Sequence, residues 1–178
     1  MATPSRRDFL HTLALGSAAS ALTPTALLAT TSPSPSQPAA DHKADGKLGV
    51  ALVGLGYYST DLLAPGLQQT KNCYLAGIVT GTPAKAEKWT KQYNIPAKNV
   101  YNYQNFDQIA NNPDIDVVYV VLPPSMHKEY VVRAAKAGKH VWVEKPMAVT
   151  AKECQEMIDA CKKANVTLSV GYRLHHEP

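Results

Sequence analysis

Five short apolar runs recur between residues 47 and 170, and segments rich in charged residues separate them. Each run is four to eight residues long, and most are rich in branched side chains and lack a polar face. This pattern is typical of strands that are buried on both faces of a parallel sheet. The five predicted strands are Lys47–Val53, Cys73–Thr80, Ile115–Leu122, His140–Val143 and Thr167–Val170.

The segments between the runs carry the start and stop signals of helices. Thr82 followed by Pro83 supplies an N-cap and a first-turn proline. Glu153 stands three residues after Thr150, as in a capping box. The helix predicted in the middle of the chain starts from a Ser125 cap and ends at Gly138. Strands that alternate with helices predict an α/β domain, a doubly wound parallel sheet covered on both faces.

Residues 1–40 differ in composition from the rest of the chain. Arg6 and Arg7 precede the weakly apolar run Leu10–Ala29, which resembles a twin-arginine export signal. Residues 30–40 are rich in proline and serine, which predicts an extended linker. We therefore expect an exported, periplasmic protein that engages the twin-arginine export machinery, with cleavage near Ala29 or Ala40. The alternative is a chance arginine pair before a disordered tail.

Charge and cysteine content exclude several classes of function. The net charge of +4 is spread along the chain without a basic cluster among aromatic residues, so we expect no nucleic-acid partner. Cys154 and Cys161 share one apolar helix face but lie two turns apart, too far to form a disulfide. With Cys73 they are predicted to be buried free thiols. His175 and His176 are adjacent and would face opposite sides of a strand, so we expect no metal site.

The segment 54–59, which reads GLGYYS, follows the first predicted strand and resembles a dinucleotide-binding glycine turn. Gly54 permits the tight turn, and Gly56 lets the backbone approach a pyrophosphate. The third position requires only a small residue, and Ser59 satisfies this. Backbone N–H groups at the start of the next helix would face the phosphates. Pro65, followed by a glycine, should kink or end that helix early.

The end of the second predicted strand indicates which dinucleotide binds. An Asp or Glu usually stands there in proteins that bind NAD. Here the sequence has Thr80, Gly81, Thr82 and Lys85 and no carboxylate. Two hydroxyls, a helix N-terminus and a lysine could accept a 2′-phosphate, which favours NADP over NAD. The alternative is a solvated turn with an ordinary surface lysine.

Two further stretches, 120–127 and 143–149, lie at or just past the carboxyl ends of predicted strands, where open α/β sheets bind ligands. Lys145 at that edge could donate a proton or a hydrogen bond to a substrate hydroxyl. Glu144 beside it could hold its orientation. His127 falls in the first turn of a helix, where it could contact the cofactor or hydrogen-bond to the backbone.

Together these stretches resemble the Gfo/Idh/MocA oxidoreductase family from about Lys47 to Pro178. The resemblance implies a Rossmann-type NAD(P)-binding domain over residues 47–178 and Lys145 as the catalytic residue. It also implies the following cofactor-binding residues: Gly54, Leu55, Gly56, Tyr57 and Tyr58 at the pyrophosphate turn, Thr80, Gly81 and Lys85 around the 2′-phosphate, Tyr103 at the adenosine end, Leu122, Pro123, Ser125 and His127 beside the nicotinamide, and Glu144, Lys145 and Arg173 near the bound dinucleotide.

The family's second half, a substrate-binding α/β domain, has no counterpart in the sequence. We therefore expect a part of a longer protein, with a stand-alone module as the alternative. The expected function is NADP-dependent transfer of hydride to or from the CH–OH carbon of a sugar or polyol, with the cofactor retained. This chain alone should bind the dinucleotide weakly and turn over little. A longer form could be a homo-oligomer. The alternative function is a non-catalytic dinucleotide-binding module that senses a ligand.

Overall fold

The computed structural model describes residues 46–172 and residue 174. The predicted export signal and Arg173 lie outside the described residues. Among these residues six parallel strands form one sheet in the order β3-β2-β1-β4-β5-β6. The strands are β1 Leu48–Val53, β2 Cys73–Val79, β3 Val100–Tyr101, β4 Val117–Val120, β5 His140–Glu144 and β6 Leu168–Gly171.

The predicted doubly wound α/β fold is confirmed, and all five predicted strands are present. The short strand β3 was not predicted. It contributes only two residue pairs to the sheet edge, Ile78 with Val100 and Val79 with Tyr101. A run of two residues is too short to carry a detectable hydrophobic period.

The central strands are apolar on both faces because helices cover both faces of the sheet. In β1 every residue after Leu48 is buried. Alternate residues of this strand enter different cores, since successive side chains point to opposite faces. Ala51 and Val53 join the core on one face. Val50 and Leu52 join the core on the other face.

Four helical segments connect the strands. The first, α1, begins as a π-helical turn over Ser59–Leu63 and continues as α-helix over Ala64–Leu67. The others are α2 Pro83–Tyr93, α3 Pro124–Lys136 and α4 Ala151–Lys163. Two 3₁₀ turns, Ala97–Asn99 and Phe106–Asn111, flank β3. None of the helices in the described part of the chain has the length and hydropathy required to cross a bilayer.

The irregular start of α1 has a local cause in Pro65. Proline has no N–H to continue the α-helical bonding and its ring crowds the preceding turn. The Ala64 N–H instead bonds to the carbonyl of Ser59, five residues back. The helix ends at Leu67, so the prediction of an early end is confirmed. π-helical turns of this kind are frequent at functional sites.

The helix caps match the prediction in part. Thr150 and Glu153 form both bonds of a capping box at the start of α4. Gly138 follows α3 with φ = +72°, the left-handed conformation expected after a helix C-terminus. The prediction that Ser125 caps α3 is wrong, because this helix begins one residue earlier at Pro124 and makes no side-chain cap bond.

Candidate functional site

The carboxyl ends of β1, β2, β4 and β5 meet along one edge of the sheet because the four strands are parallel. Each of these ends carries one of the stretches in which the sequence predicted site residues. The chain order of the strands reverses between β1 and β4, where open α/β sheets have their ligand crevice.

Gly54 packs against the end of β4. Its φ of +92° lies in the region that favours glycine. A Cβ at this position would lie 2.4 Å from the carbonyl oxygen of Val121 and 2.8 Å from Cδ2 of Leu122. The Gly54 carbonyl accepts a hydrogen bond of 2.6 Å from the buried Ser59 hydroxyl. Ser59 therefore packs as a small residue at the third position and also fixes the turn.

Gly56 has the opposite environment. It is exposed, and a Cβ at this position would meet no atom within 4 Å. The open space over Gly56 leaves the backbone accessible to a pyrophosphate. Tyr57 is 74% exposed and Tyr58 is half-buried in the same turn, while Leu55 is buried.

The end of β2 presents hydroxyl and amide groups without a carboxylate. The Thr80 hydroxyl is buried and accepts the N–H of Thr82 at 3.2 Å. Gly81 is exposed and lies under the ring of Tyr103, with ring carbons 3.1 and 3.2 Å from the position of a Cβ. Lys85 donates from Nζ to the Leu55 carbonyl at 2.9 Å. Lys85 therefore links α2 to the glycine turn.

Tyr103 is held against Gly81 by contacts with α3. Its ring packs edge-on against Tyr130 with centroids 5.5 Å apart. Arg133 donates to the Tyr103 carbonyl at 3.2 Å and also binds both carboxylate oxygens of Asp107. Burial raises the pKa of the Tyr103 hydroxyl. These contacts hold the tyrosine ring beside Gly81.

The turn that directly follows β5 carries Lys145 and Pro146, and we call it the Lys145 turn. Glu144 is only 8% exposed, and both of its carboxylate oxygens are used. Oε1 accepts the hydroxyl of Tyr119 at 2.5 Å, and Oε2 accepts the backbone N–H of Lys145 at 3.2 Å. Lys145 itself is exposed, and within residues 46–172 its ammonium has no hydrogen bond or ion pair. Tyr58 of the glycine turn borders the same cavity of about 390 Å³ as Glu144 and Lys145.

His127 is a link between two turns. The ring is 1% exposed, and Nε2 lies 2.7 Å from the Leu122 carbonyl. Nδ1 lies 3.0 Å from the Pro146 carbonyl and 3.2 Å from that of Met147. This geometry agrees with the second predicted alternative, a backbone hydrogen bond. The imidazole thus joins the turn after β4 to the turn that carries Lys145.

Pro123 and Ser125 are exposed at the start of α3, and Leu122 is half-buried next to Gly54. These three residues border the crevice from the β4 side. The predicted site residues that the structure describes lie along this edge of the sheet, although the His127 ring is turned inward. Arg173 lies outside the described residues.

Sequence reasoning missed Tyr119 and Gly171. Tyr119 is the one residue with a hydroxyl in the aliphatic run Val117–Val121, and that departure from the pattern was an available signal. Gly171 pairs in register with Glu144, which no sequence pattern indicates.

These features define a class of protein. A glycine turn with an open backbone after β1, an end of β2 without a carboxylate, and a lysine at the end of β5 fit a nicotinamide dinucleotide. The sequence model of the family described as "Oxidoreductase family, NAD-binding Rossmann fold" matches residues 48–172. The chain belongs to this Gfo/Idh/MocA oxidoreductase family.

Characterised relatives support this assignment. The inositol 2-dehydrogenase/D-chiro-inositol 3-dehydrogenase of Lactiplantibacillus plantarum is 32% identical over 130 residues, which cover 72% of this chain and 36% of the relative. The D-xylose 1-dehydrogenase [NADP(+)] of Haloarcula marismortui is 28% identical over 134 residues, 75% of this chain and 37% of the relative.

Among solved structures, the aldose-aldose oxidoreductase from Caulobacter crescentus complexed with glycerol is 48% identical, with a TM-score of 0.73. The match covers 74% of this chain and 39% of that protein. The matches to these three proteins therefore span less than two fifths of their length.

Proposed function

We propose that this chain is the cofactor-binding part of an NADP-dependent oxidoreductase that acts on the CH–OH group of a sugar or polyol. The observation that carries the proposal is the position of Lys145. Lys145, whose ammonium is free, and Tyr58 of the glycine turn line one cavity at the carboxyl edge of the sheet. A substrate carbon and a nicotinamide ring would meet at this edge.

The residues of the chain would divide the work as follows. Gly54 and Gly56 shape the turn that admits the pyrophosphate, and Tyr103 borders the adenosine. Lys145 donates a hydrogen bond or a proton at the substrate hydroxyl oxygen, and Glu144 holds the backbone N–H of Lys145. The dinucleotide, when bound, supplies or accepts the hydride. Orientation of the sugar requires residues beyond this chain, since positioning supplies much of an enzyme's rate.

The preference for NADP over NAD rests on the end of β2. Residues 80–86 contain no Asp or Glu that would repel a 2′-phosphate. Lys85 lies beside the turn and can exchange its bond to the Leu55 carbonyl for one to a phosphate. Competing titrations with NADP and NAD test this preference. Equal affinity for the two dinucleotides would contradict it.

The substrate class is supported by the relatives, which are named for their action on inositol, xylose and aldoses. The stretches GLGYYS, AGKHVWVEKPMA and GYRLHHEP also resemble their counterparts in glucose–fructose oxidoreductase. With the predicted twin-arginine signal, this resemblance supports a periplasmic enzyme that keeps its NADP bound while one sugar reduces the cofactor and another reoxidises it. A homo-oligomer of the longer protein belongs to the same proposal.

The deciding experiment uses a longer protein that contains this chain. Purified protein should carry NADP through dialysis and should transfer hydride from one sugar to another without added cofactor. Replacement of Lys145 by alanine should lower the rate of transfer by about a hundredfold or more and leave the bound NADP in place. Loss of the cofactor on dialysis would refute retention. NADP binding without turnover on any sugar or polyol would favour the ligand-sensing module.

A further inference from the structure

Tyr119 holds the Lys145 turn from the neighbouring strand. Tyr119 in β4 pairs in register with Trp142 of β5. Glu144 lies two residues further along β5 and therefore on the same face of the sheet. The Tyr119 hydroxyl donates to one carboxylate oxygen of Glu144, while the Lys145 N–H donates to the other. The carboxylate is thus held by one group on each of its oxygens.

The third strand leaves space for this arrangement. Gly171 of β6 pairs in register with Glu144. A Cβ at Gly171 would lie 2.8 Å from the Tyr119 hydroxyl oxygen and 2.9 Å from Glu144 Oε1. Any side chain at this position would push the hydroxyl or the carboxylate aside. Three adjacent strands therefore contribute to one arrangement, which is more than an incidental contact.

The Tyr119 hydroxyl is a persistent donor. Its ring packs edge-on against Trp142, with centroids 5.6 Å apart and planes at 86°. Burial, followed by the hydrogen bond to Glu144, raises the pKa of Tyr119. The hydroxyl therefore keeps its proton throughout the physiological range.

Glu144 and Lys145 both line the same cavity, and among the described residues no ion pair joins them. If Tyr119 released it, the carboxylate could rotate towards the ammonium, because opposite charges in one cavity attract. We propose that Tyr119 is a positioning residue, which holds the Glu144 carboxylate away from the Lys145 ammonium and leaves that ammonium available to a substrate hydroxyl. This inference rests on the proposed function of Lys145.

Chemical modification of Lys145 tests the inference without turnover. Trinitrobenzenesulfonate reacts with the free amine, and an ion pair keeps the amine protonated. Tyr119→Phe should therefore slow the modification of Lys145 about two- to fivefold, the range of a partly exposed ion pair. Peptide mass spectrometry measures the rate at Lys145. The exposed Lys136 at the far end of α3 serves as the internal reference and should react at an unchanged rate.

Two further variants separate this effect from a general structural one. Tyr74→Phe removes a hydroxyl that donates to the Asp114 carbonyl at 3.2 Å, at the amino-terminal end of the sheet. It should leave the rate at Lys145 unchanged. The double variant Tyr119→Phe/Glu144→Gln lacks the charge that would capture the ammonium. It should react at the wild-type rate or faster.

The direction of the change distinguishes the outcomes. Lys145 is already exposed, so loosening of the fold would leave the rate of its modification unchanged or raise it, whereas the proposal requires a lower rate. An unchanged or faster rate in Tyr119→Phe, or a double variant as slow as the single one, would overturn it. Gly171→Ala disturbs the same pair from β6 and should also slow the reaction, which keeps the test valid if Tyr119→Phe does not fold. Because the assay needs no cofactor, its result does not depend on the test of the proposed function. The inference about Tyr119 can fail while Lys145→Ala still lowers activity, and it can hold while Lys145→Ala leaves activity unchanged.

Discussion

Alanine substitutions at Gly54 and Gly56 should separate the structural role of the glycine turn from its role in binding. A Cβ at Gly54 would lie 2.4 Å from the Val121 carbonyl oxygen, on a backbone with φ = +92°. A Cβ at Gly56 would meet nothing within 4 Å. Gly54→Ala should therefore destabilise the fold, whereas Gly56→Ala should leave the fold intact and weaken dinucleotide binding.

The structure sets the size of the effect at Gly54. An alanine in this backbone conformation costs about 1–3 kcal/mol. The overlap with the Val121 carbonyl costs about 1–3 kcal/mol more, because the atom it meets belongs to the backbone and cannot turn away. A loss of at least about 2 kcal/mol lowers the melting temperature of a domain of this size by roughly 5–15 °C.

Thermal unfolding followed by circular dichroism measures the first effect, and titration with NADPH measures the second. Gly56→Ala should change the free energy of unfolding by less than about 0.5 kcal/mol. Its affinity for NADPH should fall about tenfold or more, since the added methyl group occupies the space of the pyrophosphate. Wild-type affinity of Gly56→Ala for NADPH would refute the binding role of Gly56. A wild-type melting temperature of Gly54→Ala would refute the structural role of Gly54.

Three further predictions concern the lysines and the pH dependence of stability. Lys145→Ala in the longer protein should lower turnover by about a hundredfold or more, and the NADP that co-purifies, measured by absorbance, should be unchanged. Lys85→Ala should reduce the ratio of NADP to NAD affinity about tenfold, because a charged hydrogen bond to the 2′-phosphate is lost. Paired titrations measure this ratio, and an unchanged value would place the selectivity elsewhere. Burial, followed by the charges of Asp114 and Asp116, raises the pKa of Tyr74 from 10.0 to about 12. As the pH rises, the Tyr74 hydroxyl ionises in the unfolded state before it does so in the folded state. The contribution of protonated Tyr74 to the free energy of unfolding is therefore complete below pH 10 and is lost between pH 10 and about 12. In equilibrium unfolding over that pH interval, the free energy of unfolding of Tyr74→Phe should decline less steeply than that of the wild type. An equally steep decline would contradict the raised pKa of Tyr74.

The features of this protein that depend on a local sequence pattern could be predicted from the sequence. Buried parallel strands need apolar residues on both faces, and this requirement is visible in runs such as Cys73–Val79. The capping box of Thr150 and Glu153 depends on residues three apart, so it was predicted in full. The glycine turn was predicted for the same reason, because the chemistry of Gly54 and Gly56 is that of their own backbone. Where a signal was weak or shifted by one residue, as in β3 and at Ser125, prediction failed.

What the tertiary structure decided depends on residues far apart in the chain. The sequence predicted Lys85 to lie near a phosphate, but only the fold shows its bond to the Leu55 carbonyl. It left His127 between two roles, and the choice depends on the carbonyl of Pro146, which lies 19 residues away.

The sequence alone determined the type of sheet, the edge at which its strands end and the class of ligand that this edge admits. The tertiary structure decided how the Lys145 turn is held. Tyr119, Glu144 and Gly171 belong to three strands and meet only when β4, β5 and β6 pair in register. Local propensities act over a few residues, whereas the register of distant strands is set by the packing of the whole sheet.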